Sequence, residues 1–236
     1  MKLITILNIS YIGAVGWYLS ILCGRRSNTK TNHIDTSYLQ RSRVDTSSTA
    51  YANSNNKNMT EWKIFLDLQC PYSKVFWKQL PSIQEKFGNK YTFTRHITSL
   101  VFHPQAFDAQ CAVTLVGNIR GLDIRRQYED MLFEHQELYM NAAIGDSKKS
   151  EIIAVFANIA EKVDGLFNTE FTRDVFVEKI HDWNLAVKPA YNEHKIALGF
   201  KVYGTPMHVI NERLLEDTES SWGVDEWIKK LEKEGL

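Results

Sequence analysis

The sequence predicts an α/β domain ordered as strand, helix, strand, a long helical stretch, then strand, turn, strand and helix. Three observations predict it. A hydrophobic strand, Trp62–Leu68, hands over at Cys70-Pro71 to a helical pattern that runs to Phe87. About 130 residues after Cys70, Gly204-Thr205-Pro206 leads straight into a short apolar strand, Met207–Ile210. Between these pieces the apolar residues recur at helical spacing, with glycines where helices stop.

The elements follow in order from local signals. Leu3–Cys23 is apolar apart from Thr5, Asn8, Ser10 and Ser20, and is bounded by Lys2 and by Arg25-Arg26. Its length reaches a bilayer-spanning helix and exceeds most signal-peptide cores. The expectation is a signal peptide or membrane anchor over residues 1–24, with residues 3–23 as the means of membrane attachment. Either form addresses the protein to the secretory lumen, the periplasm or the exterior. A buried soluble helix is the bland alternative. Residues 25–60 are rich in Ser, Thr and Asn, the composition of a disordered linker. Residues 61–236 are enough for one sizeable core.

Within that domain, helices are expected near Gln105–Asn118, Ile124–Leu138, Lys148–Val163, Thr172–Asp182 and Tyr191–Leu198, an insert of about 104–199. Gly121, Gly145 and Gly165 punctuate it. After Ile210 come a turn at Asn211-Glu212-Arg213, a strand at Leu214–Glu216 and a terminal helix near Val224–Lys233. The chain carries 28 basic and 28 acidic residues and no basic stripe with interleaved aromatics, which argues against a nucleic-acid partner. Three cysteines make neither a disulfide framework nor a zinc spacing, so no metal is expected.

Cys70 is the residue with the clearest chemistry. Unpaired N–H groups and the positive end of the dipole at a helix N-terminus favour a thiolate over a thiol. Pro71 fits the first helical position, where its missing N–H costs nothing. The competing reading is a buried structural cysteine followed by an ordinary helix-starting proline.

Aromatic-x-Asp-x-x-Cys-Pro-aromatic at Phe65–Tyr72, followed by Gly204-Thr205-Pro206, resembles the DsbA-like branch of the thioredoxin fold, over roughly Glu61 to Leu236. The resemblance implies a thioredoxin-like four-stranded sheet flanked by helices, with a helical insert over the active site. It makes Cys70 the nucleophile and Pro206 a cis-proline whose loop holds peptide substrate. Thr205 would supply backbone to that substrate, and Pro71 and Tyr72 would face it. Ser73 stands where the family has a second cysteine. The motif is therefore Cys-x-x-Ser, and release of a mixed disulfide falls to an external thiol, with glutathione as a co-substrate and no bound cofactor. Thiol- or disulfide-containing proteins are the expected partners. Two other functions stay open: a non-catalytic binding chaperone of the same fold, and a kappa-type glutathione transferase, whose active-site residue is a serine.

Asp67, three residues before Cys70, is a candidate for proton transfer during exchange. Ser73 could donate to the thiolate. Cys111 shares a helical spacing with Phe107 and Leu115 and reads as core rather than as a resolving thiol. His208, two residues past Pro206, reads as a half-exposed strand residue, and Phe76 and Trp77 as core.

Overall fold

The computed structural model describes residues 49–50 and 59–236, all within the second of the two units into which the chain divides, Thr36–Leu236. The apolar run Leu3–Cys23 and most of the linker lie outside the described residues.

The sheet has five strands in the order β1-β3-β2-β4-β5. These are β1 (Thr49–Ala50), β2 (Thr60–Leu66), β3 (Tyr91–Ile97), β4 (Met207–Ile210) and β5 (Arg213–Leu215). β2 and β3 run parallel, joined through helix α1 (Pro71–Phe87), and the other pairs are antiparallel. The four strands read from sequence are all present. β1 is an addition: two residues of the stretch read as linker pair with Arg95 and Thr94 at the sheet edge.

Residue alternation along β2 divides the core, as the two-residue period of a strand requires. Trp62, Ile64 and Leu66 face α1, whose Phe76, Leu80, Ile83 and Phe87 recur at helical spacing, together with Trp227 and Leu231 of the terminal helix α8 (Val224–Glu234). Phe65 faces the other way, onto Ala197, Val202, Met207 and Val209. Lys63 on that face reaches the carboxylate of Glu61 at 2.8 Å and that of Glu212, and lies over the Phe200 ring at 5.3 Å.

The insert contains α2 (Ala106–Arg120), α3 (Leu122–Glu134), a 3-10 turn (Gln136–Tyr139), α4 (Asn141–Ile144), α5 (Lys149–Ala160) and α6 (Arg173–Lys179). A π-turn (Trp183–Val187) then leads into α7 (Lys188–Gly199). The helix expected over Ile124–Leu138 is thus two pieces. α2 is buried on nearly every side, and Gly117 lets α3 approach it: a Cβ there would sit 2.7 Å from Arg125 Cδ. Phe107, expected on a buried face, is exposed.

An ionic cluster bolts the insert to the sheet. The wholly buried Arg125 bonds Glu129 Oε1 at 2.8 Å and Glu193 Oε2 at 3.0 Å. Burial alone would lower its pKa, but the two carboxylates raise it, so it stays charged. Glu193 Oε1 accepts from Ile97 N, and Gln110 Nε2 donates to Ile97 O at 2.6 Å. Both backbone groups of the last β3 residue are therefore held by insert side chains.

Candidate active site

β2 ends at Leu66, two residues earlier than the sequence suggests, because Asp67 turns the chain. Its Oδ1 accepts from Gln69 N at 2.7 Å, and its carbonyl accepts from Cys70 N at 3.0 Å. Cys70 then becomes the N-cap of α1 with Pro71 in the first turn, and its own carbonyl accepts from Lys74 N.

The second signature piece arrives from across the sheet. β4 is antiparallel to β2, with Phe65 opposite Met207, so the loop just before β4 lies at the end of β2 where Cys70 is held. The Thr205–Pro206 peptide is cis. The Cys70 thiol donates to Thr205 O at 3.3 Å. Two pieces 135 residues apart in sequence thus meet at one sulfur. That sulfur is covered, Cys70 being 3% exposed, while Pro71 is exposed and Tyr72 is 65% exposed beside it.

The insert clamps the turn that presents the thiol. Gln136 Nε2 donates to Leu68 O at 2.7 Å and to Cys70 O at 3.0 Å, and the Tyr139 hydroxyl lies 2.9 Å from Leu68 O. Gln69 exchanges bonds with Gln105, accepting from its N at 2.8 Å and donating to its Oε1, and also donates to Asn141 Oδ1 at 2.9 Å. Lys74, in the first turn of α1, donates to Glu134 O at 3.0 Å and pairs with Glu137.

Two site candidates are engaged with the turn itself. Asp67 is wholly buried with both carboxylate oxygens engaged: besides Gln69 N, Oδ2 accepts from Leu100 N at 2.8 Å and lies 2.9 Å from His103 Nδ1. It ties the Cys70 turn to the loop after β3. Ser73 is also buried, and its Oγ accepts from Asp67 N at 3.2 Å, so the contact it makes is with the turn.

His208, expected half-exposed, is fully buried. Its Nδ1 accepts from Trp62 Nε1 at 3.3 Å, and its ring meets those of Phe76 at 4.7 Å and Trp227 at 4.6 Å. Burial pulls its pKa down to about 3, so it is a neutral core residue. His96, stacked on Phe65, is pulled down to about 4, chiefly by burial. Phe76 is core, and Trp77 stacks on Phe133. Cys111 is wholly buried, and burial, reinforced by Asp108, pushes its thiol up to about 12. Cys23 lies outside the described residues.

The clamp residues Gln69, Gln105, Gln136, Tyr139 and Asn141, and His103, were not among the sequence candidates. Only Gln69 carried a signal, its position directly before Cys70.

No family model and no curated protein matches the sequence. Solved structures do. A candidate protein-disulfide isomerase from Pseudomonas syringae is similar over 80% of this chain and 99% of its own, at 15% identity and TM-score 0.63. BdbD from Bacillus subtilis, in its oxidised form, is similar over 81% and 94%, at 17% identity and TM-score 0.59. DsbA from Chlamydia trachomatis is similar over 79% and 91%, at 14% identity and TM-score 0.56. The fold is thioredoxin-like with a helical insert, as in these structures.

Proposed function

We propose that the protein exchanges thiols and disulfides with protein clients through the single nucleophilic sulfur of Cys70. The observation that carries this reading is the place of that sulfur, at the N-terminus of α1 and 3.3 Å from the Thr205 carbonyl. The thiolate attacks one sulfur of a client disulfide. A bond forms between Cys70 Sγ and that sulfur, while the other client sulfur leaves as a thiolate and takes a proton. One disulfide is consumed and one is made. The Thr205 backbone, just ahead of β4, supports the client segment as an added strand, and Pro71 and Tyr72 flank it.

Ser73 leaves the site without a resolving thiol in the motif, so release requires an attacking thiol from elsewhere. Reduced glutathione returns Cys70 to the thiol and leaves a glutathionylated client; a second client thiol completes an isomerisation. The burial of Cys111 and the cause of its raised pKa favour an external resolver over an internal one. The apolar run Leu3–Cys23 favours an oxidising compartment, the secretory lumen, periplasm or exterior, reached as a secreted or membrane-anchored protein.

The test is the lifetime of the mixed disulfide between the full chain and a cysteine-containing reporter peptide. The adduct should persist without added thiol and decay at a rate proportional to reduced glutathione. Rapid turnover with no added thiol would mean an internal resolver. A chain that never forms the adduct would be a binding module.

A further inference from the structure

Asp67 is the hub of the turn that presents Cys70, and one of its partners can change charge. Two cannot: Oδ1 accepts from Gln69 N at 2.7 Å and Oδ2 from Leu100 N at 2.8 Å, both backbone donors. The third, His103 Nδ1, lies 2.9 Å from Oδ2. Facing a carboxylate, Nδ1 carries a hydrogen, so Nε2 is where the ring gains or loses its second proton. The Asp67 side chain is wholly buried, while that of His103 is 15% exposed, which gives water a way to deliver that proton.

The same carboxylate lies close to the reacting residue. Asp67 O accepts from Cys70 N at 3.0 Å, closing a four-residue turn whose ends lie within about 7 Å of each other. A lone carboxylate at that range opposes a thiolate, and a carboxylate paired with an imidazolium does not. The other ionisable groups around the turn come from three elements. Tyr139 of the 3-10 turn stays a phenol, because burial, with Asp67 adding to it, holds its ionisation well above the ordinary range. Lys74 of α1 is paired with Glu137, which His135 approaches at 3.9 Å. His194 of α7 meets Thr98, at the start of the His103 loop. Among the described residues none of these hydrogen-bonds Asp67.

We propose that His103 is a positioning residue that sets, through Asp67, how readily Cys70 forms its thiolate. This role rests on the Cys70 reading above and names the regulation of that same site. Protonated, His103 and Asp67 make a neutral pair, and the negative charge on Cys70 meets no opposition. Deprotonated, His103 leaves the carboxylate charge facing the turn, and the thiolate is disfavoured. The coupling is reciprocal: the thiolate favours protonated His103 by the same factor.

The experiment follows Cys70 adduct formation with one mixed-disulfide peptide in wild type, His103→Gln and His103→Lys, each as the full chain. Gln can still donate to Asp67 but carries no charge, and Lys carries one throughout. Wild type should outpace His103→Gln about fivefold at pH ~5.5, where an ordinary histidine is charged, and the ratio should approach one at pH ~8. His103→Lys should match wild type at the lower pH. A ratio that is the same at both pH values would overturn the proposal and leave Cys70 chemistry intact. So would a cooperatively melting His103→Lys that is as slow as His103→Gln. If the variants melt early, wild type alone decides. Capping Cys70 as its methyl disulfide removes the thiolate charge and should move the titration midpoint of the His103 Cε1–H proton signal about half a pH unit lower. An unmoved midpoint would overturn the proposal. Failure of wild type to form the adduct at either pH would overturn the Cys70 reading itself.

Discussion

Cys70 and Cys111 are both nearly inaccessible cysteines, yet their surroundings differ. Cys70 is the N-cap of α1, directly before its first turn, and its sulfur meets a backbone carbonyl from a distant loop. Cys111 sits in the middle of α2, where every local N–H is spent within the helix, and burial raises its thiol to about 12. On the reading proposed above, position along the helix and what faces the sulfur, rather than burial alone, separate the two thiols.

The sharpest way to break this contrast is to delete each sulfur. Cys70→Ala should lower the rate of peptide adduct formation at least ~100-fold, since the attacking atom is gone. Cys111→Ala should stay within about threefold in rate but lose about 1–2 kcal/mol of stability, because it empties part of a packed core. If Cys111→Ala removed the adduct in a chain that still melts cooperatively, the assignment would be reversed.

Ser73→Cys sharpens the contrast by adding a second sulfur one helical turn from the first. Resolution then becomes intramolecular, and the adduct lifetime without glutathione should fall at least ~10-fold. An unchanged lifetime in quench-and-blot time courses would show that the missing resolver is not what holds the adduct.

The insert is tested by its ionic bolt. Arg125→Ala leaves Glu193 buried without its cation and Glu129 with Arg95 as its remaining partner, and should cost about 3–5 kcal/mol. For a domain of this size, that lowers the thermal midpoint by roughly 10 °C. A melt within a degree or two of wild type would mean that the cluster does not secure β3.

Acid gives a smaller effect of known sign. His208 and His96 have folded-state pKa values near 3 and 4, below the ordinary value of 6.5. The unfolded chain therefore binds more protons as pH falls below 6.5. Stability is fully present above that pH and is lost toward pH 4 and below, by up to about 1.4 kcal/mol per pH unit for each ring. His96→Phe removes a ring whose two nitrogens have no hydrogen-bond partner. It should flatten the slope of urea-derived stability by about one such increment between pH 6.5 and 4.

Much of the candidate site's geometry was legible in sequence because it is carried by short motifs. Cys70, Pro71, Tyr72, Thr205 and Pro206 all lie where Cys-Pro at a helix start and Gly-Thr-Pro before a strand place them. α1 runs over Pro71–Phe87 as read, fixed by a proline at one end and an apolar period throughout. The misreadings have physical causes. β4 is interior to the sheet and packed on both faces, so all four of its residues are buried and alternation could not show His208 to be core. α2 is buried nearly all round, so the spacing of Phe107, Cys111 and Leu115 did not select one face. The clamp from Gln136 and Tyr139 acts across 66 to 71 residues through amide and hydroxyl contacts, which leave no periodic trace.

The most direct test of the contrast is site-resolved mass spectrometry of the folded full chain after brief exposure to oxidised glutathione at neutral pH. Cys70 should carry one glutathione, lost on adding excess reduced glutathione, and Cys111 should be unmodified until the chain is denatured. An unmodified Cys70, or modification of Cys111 in the folded chain, would contradict the assignment of one sulfur to chemistry and the other to the core.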